Sequence, residues 1–255
     1  MCLIALAYHQ HPRYPLVLVG NRDEFHARPA EPLFVWGDGS DVIGGRDAQA
    51  GGTWLGVTAE GRLGAVTNVR EPQSPPPGLR SRGGLIPDFF QQSGQTAAAA
   101  AEKLLSEAAH YGPFNLLLYD GSSLCIAGNR PTPHWQPLSP GVHTLSNAAL
   151  DTPWPKTERL KAALQQWLDA GSTEPSALFA ALADETPAPD AELPDTGVGL
   201  ALERMLATPF IRGAAYGTRA SSVVLIGADD FSFEERRFGP NGTALGRCVW
   251  RGPQA

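Results

Sequence analysis

The chain has little of what marks several large classes of protein. Its 255 residues include only three cysteines, Cys2, Cys125 and Cys248, which are too few and too scattered for a disulfide framework or a zinc ribbon. Cys125 and Cys248 lie in apolar runs typical of buried strands. Charged residues make up 18% of the chain, the formal net charge is -6, and no block of lysine and arginine occurs, so we expect no nucleic-acid partner.

Targeting and membrane segments are also missing from the sequence. The apolar N-terminal run has no basic flank and is interrupted by His9 and His11, unlike a secretory signal peptide. No apolar run is long enough to span a bilayer. We therefore predict a cytoplasmic protein with reduced thiols and no transmembrane segment. Because no carboxylate stands at ligand spacing from His9, His11 and His26, we expect these histidines to be exposed, and we predict no metal and no cofactor.

What the chain does have is a distinctive N-terminal pattern. Two apolar runs rich in β-forming residues, 1–8 and 16–20, flank a polar stretch that contains Pro12 and Pro15. This length and punctuation predict a β-hairpin. The hairpin would bring the polar residues 21–23 back beside Cys2.

A cysteine at position 2 can become an activated nucleophile. Removal of Met1, which the small side chain of Cys2 permits, would leave a thiol and a free α-amine on one residue. An α-amine titrates at about 7.7 to 8.0 and a thiol at about 8.5, so the amine can take the thiol proton near neutral pH. Asp23 would orient the ammonium and Arg22 would favour the thiolate. An arbitrary cysteine at this position would more simply be interpreted as a buried apolar residue beside a surface ion pair. The combination of Cys2 with a polar cluster at hairpin distance favours a catalytic role instead.

Met1-Cys2 followed by Asn21-Arg22-Asp23-Glu24 resembles the signature of the NRDE family, which includes the eukaryotic Transport and Golgi organization protein 2 homologues. The resemblance extends over nearly the whole chain through five further motifs: Gly44-Gly45-Arg46-Asp47, Gly51-Gly52-Thr53-Trp54-Leu55-Gly56, Thr67-Asn68-Val69-Arg70, Ser146-Asn147 and Tyr216-Gly217-Thr218-Arg219. The family is in turn similar to N-terminal nucleophile hydrolases of the cholylglycine hydrolase and penicillin acylase type. In that branch the N-terminal cysteine attacks an amide, an aspartate holds the α-amine, asparagines form the oxyanion hole and position substrate, and an arginine supports the thiolate.

By motif position, the resemblance implies catalytic roles for five residues: Cys2, Asp23, Asn68, Asn147 and Arg219. Supporting or substrate-binding roles are expected for four more: Asn21, Arg22, Trp54 and Arg70. The match departs from the hydrolase pattern at one place, because that branch has an arginine three residues before the aspartate, where this chain has Gly20. Adjacent strand residues face opposite sides, so Asn21 shares the face of Asp23, while the sequence leaves open whether Arg22 points toward the thiol or away from it.

The order of elements predicts the fold class. Further hairpins are expected at 53–58 with 62–69 and at 114–119 with 124–128, and helices at 96–110, 154–169 and 176–184, followed by a loop over 185–197. Arg46 and Asp47 are expected to form an ion pair bracing a glycine turn. Hairpins first, helices in the middle and strands last predict an α+β protein, a four-layer αββα sandwich of two mostly antiparallel sheets, as a single domain of residues 1–255. The resemblance implies the same N-terminal nucleophile hydrolase-like architecture.

The sequence thus predicts an amide (C–N) or acyl hydrolase that uses Cys2 on a small molecule with an apolar acyl part. The alternative is a non-catalytic lipid- or haem-binding or trafficking protein on the same scaffold, as resemblance to the eukaryotic members implies. A retained Met1 would favour this alternative, because it acylates the amine of Cys2. Neither the substrate nor the oligomeric state follows from the sequence.

Overall fold

The computed structural model describes residues 2–73 and 76–253, and its strands fall into two sheets. The chain forms two compact units. The first comprises Met1–Ala27, Arg70–Pro72 and Pro140–Arg251, and the second comprises Arg28–Val69, Gln73–Ser139 and Gly252–Ala255. The α+β class with two antiparallel sheets is confirmed, and the single domain over 1–255 stays a prediction.

The first unit contains a six-stranded sheet. In chain order its strands are β1 (Cys2–Tyr8), β2 (Leu16–Phe25), β10 (Gly141–Leu145), β11 (Tyr216–Ile226), β12 (Asp230–Phe238) and β13 (Ala244–Pro253). They lie side by side in the order β10-β1-β2-β11-β12-β13. The predicted N-terminal hairpin is confirmed, and all seven residues of β1 are buried, with β10 paired to one edge of the strand and β2 to the other. Cys248 on β13 is only half-buried, contrary to its expected burial.

Three helices belong to the same unit: α3 (Pro155–Asp169), α4 (Ser176–Leu182) and α5 (Leu200–Leu206). The first two pack on one face of the sheet. Alternate residues of β1 and β2 meet apolar residues of these helices in one core, whose members include Leu3, Tyr14, Val17, Val19, Leu160, Leu164, Trp167, Leu178, Phe179 and Leu182. The period of two along the strands and the helical spacing of 160, 164 and 167 explain this match. Helix α5 was not predicted, because it has seven residues and follows a stretch rich in proline and glycine.

The second unit contains a seven-stranded antiparallel sheet whose strands follow one another in chain order. They are β3 (Ala30–Val35), β4 (Ile43–Asp47), β5 (Leu55–Val57), β6 (Leu63–Asn68), β7 (Phe114–Tyr119), β8 (Leu124–Gly128) and β9 (His134–Pro137). The helices are α1 (Leu85–Phe90) and α2 (Ala97–Leu105). Both predicted hairpins are confirmed, whereas β4 and β9 were missed. Helix α2 begins where predicted, with Thr96 as its N-cap, whose Oγ1 accepts a hydrogen bond from Ala99 N at 3.2 Å, but it ends earlier than predicted.

The expected ion pair between Arg46 and Asp47 was wrong. Arg46 instead pairs with Asp38 at 2.9 Å and donates to the carbonyl of Gly51 at 3.0 Å, while Asp47 pairs with Arg28 at 2.6 Å. Successive residues of a strand face opposite sides, so these two neighbours find different partners. Arg46 still braces the glycine turn through Gly51.

The expected exposure of His11 was also wrong. His11 is buried, and its Nδ1 accepts hydrogen bonds from the backbone nitrogens of Arg13 and Tyr14 at 3.1 and 3.2 Å. The ring also stacks against Trp167 of α3 at 5.3 Å between centroids. His11 therefore holds the turn of the first hairpin.

Candidate active site

Cys2 opens β1, and the strand register decides what surrounds it. Cys2 stands directly opposite Arg22 of β2, and Leu3 stands opposite Asn21. Directly opposite residues of an antiparallel pair project from the same face of the sheet, so Arg22 takes the side of the thiol. The register thus answers a question that the sequence left open. Asn21 and Asp23 share the other face, as predicted.

Asp23 follows Arg22 on β2, level with the nitrogen end of Cys2. Its side chain is buried, with 2% exposure, and its Oδ1 accepts a hydrogen bond from Thr218 Oγ1 at 2.7 Å. Thr218 stands opposite Asp23 on β11 and is itself held by the backbone nitrogen of Ile211. Burial raises the pKa of Asp23, although the charge of Lys156 and the hydroxyl of Thr218 oppose this rise. The carboxylate is thus fixed in place and stabilised by a nearby cation.

The thiol of Cys2 is buried and, by its pKa, protonated at rest. Burial raises the pKa of Cys2, the charge of Asp23 raises it further, and Arg22 acts in the opposite direction. A thiol in this state attacks a carbonyl only if a base removes its proton at the moment of reaction. Met1, whose removal the sequence predicts, lies outside the described residues.

The Ser146-Asn147 pair reaches Cys2 from the end of β10. Ser146 Oγ donates to the carbonyl oxygen of Cys2 at 3.0 Å and lies 3.3 Å from Oδ1 of Asn147. Both residues are buried. Strand β10 pairs with β1, so the chain that leaves it passes directly beside the start of β1. The geometry therefore brings Asn147 close to Cys2.

Arg70 joins the site through Asn147 and carries a buried ion pair. Its backbone nitrogen donates to the carbonyl of Asn147 at 2.7 Å. Its guanidinium pairs with Glu203 of α5 through Nη1 at 2.5 Å, and the two side chains are only 5% and 3% exposed. The guanidinium also rests 4.8 Å from the ring centre of Trp154. Glu203 in turn accepts hydrogen bonds from the backbone nitrogen and the hydroxyl of Thr196.

Lys156, like Glu203, is a site residue that the sequence analysis missed. It lies in the first turn of α3 and is 2% exposed, with its Nζ 5.7 Å from the ring centre of the same Trp154. Burial lowers its pKa to about 8, while the charges of Asp23 and Cys2 oppose this change. A signal was present: lysine in the first turn after Pro155 is unfavourable for the helix dipole. We call Cys2, Asp23, Arg70, Lys156 and Glu203 the Cys2 cluster.

Two predicted residues have mainly backbone partners. The amide of Asn21 donates to the carbonyls of Leu182 and Pro209 at 2.8 and 2.9 Å, and its oxygen accepts from Ser221 at 2.6 Å. Asn21 therefore braces β2 against the end of α4 and the segment that follows α5. Arg219 occupies a bulge of β11 and donates to the carbonyl of Phe25 at 2.8 Å.

Asn68 and Trp54 belong to the second unit. Asn68 is the last residue of β6, stands opposite Phe114 and is half-buried. Trp54 is buried just before β5, and its carbonyl accepts a hydrogen bond from Val66 N at 2.8 Å. Their proposed roles in oxyanion binding and in the substrate pocket stay predictions.

In the ranges 2–73 and 76–253, no group of three His, Cys, Asp or Glu side chains is arranged to hold a metal ion. Among the helices of these ranges, none has the length and hydropathy needed to cross a membrane.

Comparison with known families supports the resemblance seen in the motifs. The family model described as Transport and Golgi organisation 2 matches residues 1–240. The mouse (Mus musculus) Transport and Golgi organization 2 homolog is 33% identical over 257 residues, which cover 92% of each chain. The human (Homo sapiens) Transport and Golgi organization protein 2 homolog is 34% identical over a stretch of the same length and coverage.

Among solved structures, the chain is similar to a mutant conjugated bile acid hydrolase from Clostridium perfringens. The TM-score is 0.51 at 9% sequence identity, with 98% of this chain and 92% of that chain covered. At this identity the likeness shows the fold alone. The fold is that of the N-terminal nucleophile hydrolases, as the motifs implied.

Proposed function

The chain belongs to the Transport and Golgi organisation 2 family, and we propose that it is an N-terminal cysteine hydrolase that cleaves an amide (C–N) or other acyl bond of a small molecule. The observation that carries this proposal is the position of Cys2. It opens a central strand, with Arg22 on the side of its sulfur and the buried Asp23 level with its nitrogen. This arrangement suits a residue whose amine and thiol act together.

The reaction begins once Met1 has been removed. The free α-amine of Cys2 takes the proton from Sγ, and the thiolate attacks the substrate carbonyl carbon. A tetrahedral oxyanion forms, which asparagine side chains at Asn68 and Asn147 and a backbone N–H stabilise. The ammonium then gives its proton to the departing amine nitrogen, the C–N bond breaks, and a thioester remains on Cys2.

Water completes the cycle. The α-amine, now neutral again, takes a proton from a water molecule whose oxygen attacks the thioester carbonyl. The C–S bond breaks, the carboxylic acid leaves, and Sγ recovers its proton. Asp23 holds the amine in position, and Lys156 favours the ionised form of Asp23. The reaction needs a reduced thiol, which fits the predicted cytoplasmic location.

Two measurements test the proposal. Intact-mass spectrometry should show that the purified protein lacks Met1. The same protein, mixed with a panel of N-acyl amides and quenched within a turnover, should gain the mass of one acyl group on Cys2, and the Cys2→Ala variant should gain none. Protein that turns over substrate with Met1 attached, or an acyl group found elsewhere, would contradict it and favour a non-catalytic binding role.

The part of Asn68 is tested separately. Loss of one oxyanion donor commonly costs about 3 kcal/mol, so Asn68→Ala should lower kcat about a hundredfold or more while the melting temperature stays within a few degrees. An unchanged kcat would remove Asn68 from the mechanism and leave Cys2 in it.

A further inference from the structure

One edge of the Arg70 guanidinium has no acceptor. Nη1 binds Glu203, but Nε and Nη2 are buried and find no hydrogen-bond partner anywhere in the described chain. These two nitrogens form the edge of arginine that binds a carboxylate through two parallel hydrogen bonds. The side chain that carries them is 5% exposed, so bulk water does not replace the missing acceptor.

Other arginines of this protein show what that edge normally does. Arg204 donates through Nε and Nη2 to the two oxygens of Asp190, and Arg212 donates through the same two atoms to Glu185. Both of these pairs are at the exposed surface. In these two arginines the Nε and Nη2 edge is paired with a carboxylate at the exposed surface, where an ion pair contributes least to stability. The same edge of Arg70 is buried and has no acceptor in the described residues.

A second buried cation lies against the same ring as Arg70. Lys156 Nζ lies 5.7 Å from the centre of Trp154, and the guanidinium carbon of Arg70 lies 4.8 Å from it. Burying two such cations is costly unless an anion offsets their charge. Since Asp23 holds the amine in the proposed reaction, only Glu203 of the cluster is left to face both of them.

We propose that the open edge of Arg70, together with Lys156, binds a carboxylate of the substrate next to Cys2. The substrate class is then an acyl amide that carries a carboxylate close to the scissile bond. A planar carboxylate with one negative charge matches both the paired N–H groups and the single positive charge in excess. The proposed carboxylate lies near Cys2 because Arg70 is bonded to Asn147, which Ser146 links to the Cys2 carbonyl.

The inference rests on the proposed function only in placing Cys2 at the scissile bond, so binding is tested apart from turnover. Full-length Cys2→Ala protein is titrated in a calorimeter with matched amides that differ only in charge. N-Octanoylglycine against N-octanoylglycinamide places the carboxylate on the amine side. Glutaric acid mono-octylamide against its methyl ester places it on the acyl side. We expect one of the two acids to bind about tenfold or more tightly than its neutral partner, because hydrogen bonds to charged groups are worth that much.

Arg70→Lys in the same background keeps the charge that Glu203 needs but loses the two-pronged edge. We expect it to abolish most of the preference for the acid and to leave the affinity for the neutral amide unchanged. Lys156→Met should likewise weaken binding of the acid, but not of the neutral amide, by about tenfold. Arg62→Lys is the matched control: it also replaces a buried arginine that rests on an aromatic ring, and it should leave the preference intact.

The outcomes separate the two proposals. Equal binding of acid and amide in both pairs, or a preference that survives Arg70→Lys in a protein whose melting temperature is normal, would overturn the carboxylate site. If Arg70→Lys does not fold, the double variant Arg70→Gln with Glu203→Gln removes both charges, and it must lose the preference for the inference to stand. Acyl transfer to Cys2 without any charge preference would leave the hydrolase intact and refute only the site.

Discussion

Arg62 in the second unit and Arg70 in the first are both buried arginines stacked on an aromatic ring, yet their hydrogen bonding differs. Arg62 lies 3.9 Å from the centre of Phe89 and donates to three backbone carbonyls, those of residues 90, 92 and 95. Arg70 binds one carboxylate and leaves two nitrogens without an acceptor in the described part of the molecule. Arg62 holds the segment after α1 in place, whereas the described residues use only part of the hydrogen-bonding capacity of Arg70.

Two aspartates of the two units differ in what sets their pKa. Asp120 of the second unit accepts hydrogen bonds from the backbone nitrogens of Ala97, Ser122 and Ser123 and from two serine hydroxyls. Although burial opposes it, these bonds hold the pKa of Asp120 far below its ordinary value. Burial instead raises the pKa of Asp23. Hydrogen bonds thus dominate the pKa of Asp120, whereas burial dominates the pKa of Asp23, and a buried carboxyl group with a raised pKa is common at functional sites.

The thiols give the largest expected contrast. Cys2→Ala should lower hydrolysis of an N-acyl amide about a thousandfold or more, because no other group can form the thioester. Cys125→Ala should leave kcat unchanged: Cys125 is buried in β8, and burial raises its pKa to about 12. Steady-state rates of the two variants, each with its melting temperature, check this. Equal loss of activity in both would place the chemistry elsewhere.

The aspartates come next. Asp23→Asn should lower kcat about a hundredfold or more without loss of stability, because its raised pKa means that folding already disfavours the ionised form near neutral pH. Asp120→Asn should leave kcat unchanged and lower the free energy of unfolding by about 1 to 3 kcal/mol. Urea unfolding at pH 7 alongside kcat measures both. A destabilised Asp23→Asn with full kcat would reverse the assignment.

Substitutions at the two arginines should differ in their effect on the stability of the protein. Arg62→Gln removes the donor of three carbonyls and should lower the free energy of unfolding by about 2 to 4 kcal/mol, with kcat per folded molecule unchanged. Arg70→Lys should change it by less than about 1 kcal/mol, because the edge it loses has no acceptor in the described residues. The two variants are compared by their denaturant midpoints, provided that the slope of unfolding free energy against denaturant concentration is the same in both. If Arg70→Lys lowered the free energy of unfolding more than Arg62→Gln, Arg70 would be a structural residue.

Replacing Lys156 should give the smallest effect, a change in stability that depends on pH. Its folded-state pKa of about 8 lies below the ordinary value of 10.5, so the folded protein loses a proton that the unfolded chain keeps between these two pH values. Stability from this group therefore rises with pH across that window, and the charged form is a cost below it. Lys156→Met should raise the free energy of unfolding at pH 7 by on the order of 1 to 3 kcal/mol. The stability that Lys156→Met gains over wild type should shrink between pH 8 and 10. A variant less stable than wild type at pH 7 would refute the view that burying the charged Lys156 is unfavourable.

Local patterns were enough for the first hairpin and for the hairpin of β7 and β8. Each has apolar runs of strand length, separated by turn residues, and such contacts are close in sequence. They were not enough for α5, a seven-residue helix that packing stabilises more than composition does. The partners of Arg46 and Asp47 also depended on side-chain direction.

By itself, the sequence determined the α+β class, the N-terminal hairpin and the candidate nucleophile, because these depend on composition, periodicity and ordered motifs. Only the tertiary structure decided that Arg22 takes the side of the thiol, since the register between two strands sets it. It alone also showed that Lys156 and Glu203 are buried beside Asp23 and Arg70. Residues from 23 to 203 meet there, and no local pattern encodes the desolvation and charge that arise when distant segments pack together.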